Sequence, residues 1–451
     1  MSPTVRATLP PGPPLPSAVQ LLVMAKWWPQ FVAACRRRYG DVFTLRNTMM
    51  GKMVYLADPA AIKTVFAGDP RIFHAGEANS MLGGLLGDTS VLVIDGDVHR
   101  DRRRLMMGPF HRDAVARQEA VMAEIAADNI ATWPVGTPFP VAPRTSQITL
   151  EVILRTVIGA SDPARLAALR DIMPRLLNVG PFYSLAIAKP ALLRRRPWRR
   201  LARLMEESDR LLYAEIAERR ADPNLAERTD ALAMLVQAHA DDGKGMTDKE
   251  LRDQLITLLV AGHDTTATGL AWALERLTRH PGILAKAVAA ADADDEEYLD
   301  AICRETLRIR PVVPDVGRIL KEPVEVAGYQ LPAGVMVVPS ITTVHMREDL
   351  YPDPERFDPD RMLGATLSPT TWLPFGGGNR RCLGAGFAQV EMRIVLREIL
   401  RRVELATTSE PGEKNRLKHV ILTPNRGARI TVKARRVVAA QPPESADLVD
   451  H

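Results

Sequence analysis

The chain has 451 residues, of which 46% are hydrophobic and 25% charged, and Lys plus Arg exceeds Asp plus Glu by 59 − 54 = 5. This balance is typical of a globular protein with a sizeable core. Three cysteines, Cys35, Cys303 and Cys382, are too few and too far apart for a disulfide framework or a CxxC zinc site.

The predicted elements begin with a proline-rich lead-in, LPPGPPLP (9–16), which we expect to lie on the surface in a polyproline-like conformation. The segment VFTLRNTMMGKMVYLAD (42–58) alternates around a Met-Met-Gly-Lys turn and predicts a β-hairpin. From about residue 98 to 280 the apolar residues follow helical spacing, as in 118–133 and 202–221.

A capping box, Thr247 with Glu250, predicts the start of a helix of some thirty residues that ends before Pro281. Its middle is apolar on nearly every side, so we expect it to be buried. A second helix is predicted over 298–310, and short strands over 317–340.

An irregular Pro/Asp-rich meander follows, and the cysteine-containing stretch PFGGGNRRCLG then precedes another helix. The organisation predicted is a lead-in (1–16), one mainly α domain with a small β region (17–435) and a disordered tail (436–451). No apolar run reaches the roughly 18 residues that span a bilayer. The start also lacks the order of a secretory signal, so we expect a cytoplasmic protein.

Cys382 lies among glycines and arginines in PFGGGNRRCLG. The stretch lacks the Lys-Ser or Lys-Thr pair of a phosphate-binding loop, and a redox pair would need a second thiol nearby. An inert buried cysteine is common in cores, but it has no need of three consecutive glycines. A metal-bound thiolate does, because glycine lets the backbone curl around the sulfur. The following helix N-terminus, with Arg380 and Arg381, is expected to lower the thiol pKa, and one thiolate suffices as the protein ligand of haem.

The stretch resembles the haem-binding loop FxxGxRxCxG of the cytochrome P-450 family, with its anchors at Phe375, Gly378, Arg380, Cys382 and Gly384. The resemblance implies a mainly α fold with a small β region. In that fold a long central helix lies over the haem and the cysteine loop lies beneath it. Cys382 is then the ligand of the iron.

The long helix contains AGHDTTATG, which resembles the family motif [A/G]Gx[D/E]T. A threonine in an apolar helix is commonly neutral, bonding back to its own turn, but an unpaired carboxylate inside a core is expensive. The resemblance implies that Asp264 relays protons to iron-bound oxygen and that Thr265 holds the water network. Ala261 leaves room for the cofactor against the helix.

Glu305 and Arg308 form an ExxR pair, which alone is a weak signal. It lies 382 − 305 = 77 residues before the cysteine, a separation like that of the family. The resemblance implies that Arg361 of the meander motif FxPxR joins the pair, whereas Arg356 does not match the motif. These residues are expected to be structural.

His99 and Arg103 have HxxxR spacing, which places both on one helix face. The resemblance implies that they hold the haem propionates together with Arg318 and Arg380, since buried carboxylates need cationic donors. Arg102 and Arg104 are adjacent alternatives in the sequence. The remaining histidines are assigned to structure or to the pocket.

The resemblance therefore implies a monooxygenase that contains heme b (iron protoporphyrin IX) and uses O2. It would hydroxylate or epoxidise a lipophilic substrate with electrons from NAD(P)H. Nothing in the chain resembles a flavin, nicotinamide or iron–sulfur module, so a separate ferredoxin and ferredoxin reductase are expected. A peroxide-driven hydroxylase and a haem-binding carrier or sensor without turnover are the alternatives.

Basic residues form runs at 35–40, 99–104 and 192–200, which are most often solvated helix faces. No nucleic-acid-binding motif accompanies them, so no nucleic acid is expected as a partner. A basic face that docks an acidic protein or anionic lipid stays open. The segment 176–200 is the candidate for peripheral membrane contact.

Overall fold

The computed structural model describes residues 9–160, 162–177, 190–239 and 243–437. The helices in these ranges are α1 (Ser17–Tyr39), α2 (Pro59–Ala67), α3 (Ala75–Ala78), α4 (Gly83–Leu86), α5 (Gly96–Met106), α6 (Arg112–Ala116), α7 (Glu119–Ala131), α8 (Ala142–Ile153), α9 (Pro163–Leu177), α10 (Arg199–Ala221), α11 (Ala231–Gln237), α12 (Asp248–Arg279), α13 (Pro281–Asp292), α14 (Glu296–Ile309), α15 (Ile341–His345) and α16 (Ala385–Arg402). The strands are β1 (Val42–Asn47), β2 (Gly51–Leu56), β3 (Phe73–His74), β4 (Phe139–Pro140), β5 (Arg318–Leu320), β6 (Val324–Val326), β7 (Tyr329–Leu331), β8 (Met336–Pro339), β9 (Val403–Ala406), β10 (Asn415–Lys418), β11 (Ile421–Pro424) and β12 (Arg429–Arg435). The expectation of a mainly α fold with a small β region is confirmed.

The largest sheet has the strand order β1-β2-β8-β5-β3. Its first two strands form the predicted antiparallel hairpin, in which Val42 pairs with Leu56 and Asn47 with Gly51. Strand β2 then pairs in parallel with β8, so that Met53 faces Met336. The small sheets are β10-β11, β6-β7 and β4-β12-β9.

The proline-rich lead-in is more closely attached to the fold than its sequence indicates. The Thr44 amide donates to the Pro11 carbonyl at 2.8 Å, and the Thr44 hydroxyl donates to the Pro10 carbonyl at 2.7 Å. Pro10 and Pro13 are buried. The segment therefore lies along strand β1 because β1 offers it donors that would otherwise be unpaired.

Helix α12 begins as predicted. The Thr247 side chain caps the Glu250 amide, and the Glu250 carboxylate accepts from the Thr247 amide at 2.8 Å. The helix has 32 residues and ends where His280 precedes Pro281. This reciprocal cap satisfies two amides that the first turn leaves without helical partners.

Helix α12 passes between two apolar clusters. Its N-terminal half packs with α8–α11 through Leu251 and Leu255, and its C-terminal half packs with α7, α14 and α16 through Leu270 and Leu274. Between the clusters, five residues are less buried, with Ala261 exposed and Val260, Gly262, Asp264 and Thr265 half-buried. A helix that is otherwise buried all round thus has one opening in its middle.

No helix in the described ranges is long and apolar enough to cross a membrane. At the C-terminus, Arg436 still belongs to the fold, because its guanidinium donates to the Leu400 carbonyl at 2.5 Å and to Asp292 at 2.7 Å. The rest of the predicted tail, 438–451, lies outside the described residues, as do residues 1–8 of the lead-in.

Candidate active site

The cysteine loop is a tight turn that ends at the start of α16. The Cys382 amide donates to the Phe375 carbonyl at 2.9 Å, which closes the loop, and the Arg381 amide donates to the Gly378 carbonyl at 3.1 Å. Gly384 is the N-cap residue of α16. These bonds place the sulfur just before the helix N-terminus.

Each of the three consecutive glycines of the loop is required by the backbone conformation, by close packing or by both. Gly376 and Gly378 have a φ of 66°, which residues with a β-carbon rarely adopt. A β-carbon on Gly377 would lie 2.1 Å from the ring of Phe66, and one on Gly378 would lie 2.1 Å from the Phe66 carbonyl oxygen. The loop therefore packs against α2 at a distance that only glycine permits.

The Cys382 side chain is accessible to solvent, although protein atoms surround it. Burial raises the pKa of the Cys382 thiol, while the Gly384 amide, Arg103 and Arg381 act in the lowering direction. The net direction is opposite to the sequence-based expectation, because desolvation outweighs the nearby donors. The thiol on its own is neutral, and a metal ion is needed to deprotonate it.

A cluster of cationic side chains lies beside the loop. Arg318 is 5% exposed, and its guanidinium donates to the Gly317 carbonyl at 2.8 Å without an ion pair among the described residues. Arg380 donates to the Ile94 carbonyl at 2.6 Å and to Asp95 at 2.5 Å. Burial lowers the pKa of both guanidinium groups to about 10.

His99 and Arg103 complete this cluster from helix α5. Burial, followed by Arg380 and Arg103, lowers the pKa of His99 to about 3, so its imidazole is neutral. Burial also lowers the pKa of Arg103, while Cys382 raises it. Both side chains line a cavity of about 640 Å³, which also includes Asn379 of the cysteine loop.

The charges of this cluster test whether heme b fits the site. The three guanidinium groups of Arg103, Arg318 and Arg380 lie near His99, as does one carboxylate, that of Asp95, which gives 3 − 1 = +2 with His99 neutral. Cations in an apolar interior are unfavourable unless they are paired. The two propionates of heme b carry two negative charges, so these residues fit that cofactor.

Arg103 rather than its neighbours faces the cysteine. Arg102 pairs with Glu250 at the start of α12, and the electrostatic influence on the thiol comes from Arg103. The sequence could not separate these adjacent arginines. The arginines are distinguished only by the directions in which their side chains project from helix α5.

The opening in α12 contains the predicted acid and alcohol. The Thr265 hydroxyl donates to the Ala261 carbonyl at 2.7 Å, the back-bonding that is usual for threonine in a helix. Its oxygen can still accept a hydrogen bond from a group in the opening around Ala261. The side chain of Asp264, the preceding residue, is directed towards Lys418 instead.

The Asp264 carboxylate is paired with Lys418, whose Nζ lies 2.9 Å from Oδ2. Both residues line a cavity of about 1170 Å³, which lies between α7, α8, α12 and the β10–β11 hairpin and has no Cys382 in its lining. The acid therefore lines this cleft, whereas the adjacent Thr265 does not. Nothing in the sequence pointed to Lys418, which is 154 residues away from its partner.

The ExxR pair is buried and joined as the resemblance implies. Arg308 binds Glu305 in a bidentate manner, with Nε to Oε2 at 2.7 Å and Nη2 to Oε1 at 2.8 Å, and both side chains are 0% exposed. Arg361 approaches the same carboxylate at 3.3 Å. Arg356, by contrast, is exposed on the surface. The trio ties α14 to the meander and contacts no part of the cysteine loop by these bonds.

Other histidines have structural partners. The His263 Nδ1 atom is bonded to the Leu259 carbonyl at 2.9 Å, and His345 accepts from the Leu373 amide at 3.0 Å. Sequence reasoning missed Asp95, which accepts from the Gly76 amide at 2.9 Å as well as from Arg380. The only signal for it was its position before α5, where an aspartate usually caps the helix.

Comparison with known proteins gives one consistent family. The family model described as Cytochrome P450 matches residues 9–432. A Mycobacterium bovis protein named "Putative cytochrome P450 135B1" is 71% identical over 446 residues, which are 98% of this chain and 94% of that protein. A Mycobacterium tuberculosis protein named "Putative cytochrome P450 135A1" is 39% identical over 438 residues, 97% of this chain and 98% of that protein.

A solved structure has a similar fold. It is described as "Retinoic acid bound cyanobacterial CYP120A1", and it aligns with a TM-score of 0.80 and 24% identity over 94% of this chain and 99% of that one. At this identity the similarity supports the fold alone.

Proposed function

The chain belongs to the cytochrome P450 family and is a haem-thiolate monooxygenase, and we propose that it hydroxylates or epoxidises a lipophilic organic substrate. Its electrons would come from NAD(P)H through a separate ferredoxin and ferredoxin reductase. The observation that carries this proposal is the enclosed, accessible Cys382 beside a buried cluster with an uncompensated charge of +2.

The binding residues have distinct tasks. Cys382 would hold the iron, while His99, Arg103, Arg318 and Arg380 would hold the propionates. When bound, the haem supplies the oxygen-activating chemistry, which a thiolate ligand favours by donating electron density. The glycines of the loop keep side chains away from the sulfur.

Asp264 and Thr265 would deliver protons from the cleft lined by Asp264 to the opening around Ala261. Lys418 holds Oδ2 of the carboxylate at 2.9 Å, which leaves Oδ1 for exchange with water of the cleft. The Thr265 hydroxyl oxygen would then hold a water molecule in the opening around Ala261, since its proton is directed to the Ala261 carbonyl. Rotation of Asp264 away from Lys418 would bring the proton across the helix.

The substrate class follows from the apolar character of the pocket segments. By resemblance to the family, the segments expected to line the pocket are 74–93, 176–200, 261–266, 312–317 and 421–425, and their sequences are aliphatic with a few aromatic residues. Screening lipophilic compounds for the spectral shift that accompanies loss of an iron-bound water identifies the substrate.

The first test is a reduced carbon monoxide difference spectrum of the protein expressed with haem supplied. We expect a Soret band in the region typical of thiolate haem, and we expect Cys382→Ala to abolish it. A colourless protein, or an unchanged spectrum in the variant, would refute thiolate ligation.

NAD(P)H consumption with added ferredoxin and reductase then separates a monooxygenase from the alternatives. A carrier or sensor consumes none beyond background, and a peroxide-driven hydroxylase forms product with peroxide alone. Coupled consumption that forms product supports the proposal.

The proton-delivery roles have their own test. Thr265→Ala is expected to keep haem and substrate binding but to divert electrons into hydrogen peroxide. If this variant forms product with wild-type coupling, the role of Thr265 is wrong, while thiolate ligation is unaffected.

An acidic ferredoxin would dock on the basic face around the cysteine loop, where Arg381 is exposed, as are Arg112 and Arg117 of α6, a helix that packs on α16. Reversal of all three to glutamate is expected to slow reduction by ferredoxin, and Lys52→Glu on strand β2 is the control. Unchanged reduction rates in the triple variant would refute this docking face.

A further inference from the structure

Positive charge is concentrated in one segment of the chain. Residues 172–205 contain eight basic side chains and no acidic one. The whole chain has a net charge of +5, so the remaining residues sum to 5 − 8 = −3. The protein is therefore slightly acidic except for this segment, of which residues 172–177 and 190–205 are described.

Six arginines of the segment form what we call the arginine surface: Arg194, Arg195, Arg196, Arg199, Arg200 and Arg203. All six are exposed, and no guanidinium group among them has a hydrogen bond or an ion pair with the described residues. Arg210, further along the same helix, does pair with Glu207 at 2.5 Å. The arginine surface thus lacks the acidic partners that the next turns of α10 supply.

The start of α10 strengthens the positive field. Arg199 is the first residue of this 23-residue helix, and its first turn contains no acidic residue. The N-terminus of a helix is the positive end of its dipole, where anions are favourable and cations are not. Arg199, Arg200 and Arg203 repel one another and the dipole in the isolated protein. An external anionic surface relieves both repulsions.

Apolar side chains alternate with these arginines. Leu192, Leu193 and Trp198 are partly buried and pack against the cluster that contains Leu177 and Leu201. The arginines therefore project outward from a base that is anchored in the core. The parts of Leu192, Leu193 and Trp198 that remain exposed lie beside the arginines and give this surface apolar as well as cationic atoms.

We propose that the arginine surface docks the protein onto an anionic lipid bilayer, with its guanidinium groups among the headgroup phosphates. Arginine binds phosphate with its planar fork of donors, and clusters of basic residues bind anionic membranes additively. An acidic protein would need the arginines alone, whereas the apolar residues between them favour a lipid interface. This contact does not depend on turnover.

The test measures co-sedimentation of the full haem-loaded protein with vesicles. We expect binding to phosphatidylcholine vesicles that contain phosphatidylglycerol, weak binding to phosphatidylcholine alone, and release at high ionic strength because the attraction is screened. Binding to neither kind of vesicle, or equal binding to both, would overturn the proposal.

The variant R194Q/R195Q/R196Q removes half of the arginine surface. Each basic residue near an anionic membrane contributes about fivefold in affinity, so the triple variant is expected to partition about 100-fold more weakly. The variant K63Q/R112Q/R117Q removes three exposed cations elsewhere and serves as the control, expected to bind within about threefold of the wild type. The carbon monoxide spectrum of each variant verifies its folding.

Two further results decide against the proposal. Equal weakening in both triple variants would mean that only net charge matters. If the protein binds no vesicles and R194Q/R195Q/R196Q slows reduction by ferredoxin, the arginine surface serves a protein partner instead. Neither result bears on thiolate ligation, which the carbon monoxide spectrum tests independently.

Discussion

Replacement of Arg308 by alanine tests how the cofactor-bearing core is held together. The guanidinium group makes two bonds to Glu305, at 2.7 and 2.8 Å, and donates to the carbonyls of His345 and Pro354 at 2.9 and 2.8 Å. Both members of the pair are 0% exposed. The substitution therefore leaves a buried carboxylate and two carbonyl groups without their main donor.

The magnitude follows from these contacts. Removal of one partner of a buried ion pair costs about 3–5 kcal/mol. Arg361 at 3.3 Å and the Asp358 amide at 3.0 Å still compensate Glu305 in part, which favours the lower end of that range. The two carbonyls that lose a donor add about 1 kcal/mol each. We therefore expect a loss of about 4–5 kcal/mol, a large part of the roughly 5–15 kcal/mol that stabilises a typical protein.

The assay is urea unfolding followed by far-UV circular dichroism, with haem content measured in parallel. Arg308→Ala is expected to lower the unfolding midpoint and the retained haem together. Arg304→Ala on the same helix is the control, because Arg304 is 32% exposed and only 3.5 Å from Asp300, and it should change stability by less than about 1 kcal/mol. A loss below about 1 kcal/mol for Arg308→Ala would refute the reasoning.

Further predictions concern the loop, the acid and pH. Gly378→Ala should abolish haem retention, because the new β-carbon would lie 2.1 Å from the Phe66 carbonyl oxygen and the residue has a φ of 66°. The control Gly386→Ala should retain haem, because no heavy atom lies within 4 Å of the position of its β-carbon. Lys418→Gln should change stability by less than about 1 kcal/mol, since its ion pair with Asp264 is partly exposed. The same variant should increase the hydrogen peroxide released per NAD(P)H consumed, whereas Lys418→Arg should restore coupling. Burial lowers the pKa of His345 to about 3, so the folded state binds fewer protons than the unfolded state below the ordinary pKa of about 6.5. The contribution of His345 to the free energy of unfolding is therefore fully present above pH 6.5 and is lost as the pH falls towards 3. His345→Gln should flatten this part of the acid-unfolding curve, and an unchanged curve would contradict the assignment.

Features that depend on neighbouring residues were predicted well from the sequence. The capping box of Thr247 and Glu250, the β1–β2 hairpin and the glycine-rich turn before Cys382 depend on dihedral angles and hydrogen bonds over a few residues. The pairing of Glu305 with Arg308 follows from helical spacing, which places residues three apart on one face. For this reason these motifs could be identified from the sequence without knowledge of the tertiary structure.

Charge and solvation at the site could not be predicted in the same way. The expectation that the Cys382 pKa is lowered was wrong, because it counted the donors beside the sulfur and not the desolvation produced by distant chain segments. The choice of Arg103 over Arg102 likewise depended on Glu250, which claims Arg102 from another helix.

By itself, the sequence determined the chemistry that this protein offers: one cysteine in a loop that only glycine can form, an acid and an alcohol in a long helix, and basic residues at helical spacing. Only the tertiary structure decided which of these groups meet. It brought Lys418 to Asp264 across 154 residues and collected three guanidinium groups and one carboxylate around His99. The physical reason is that burial and Coulomb interactions depend on distances in space, and packing of the whole chain sets those distances.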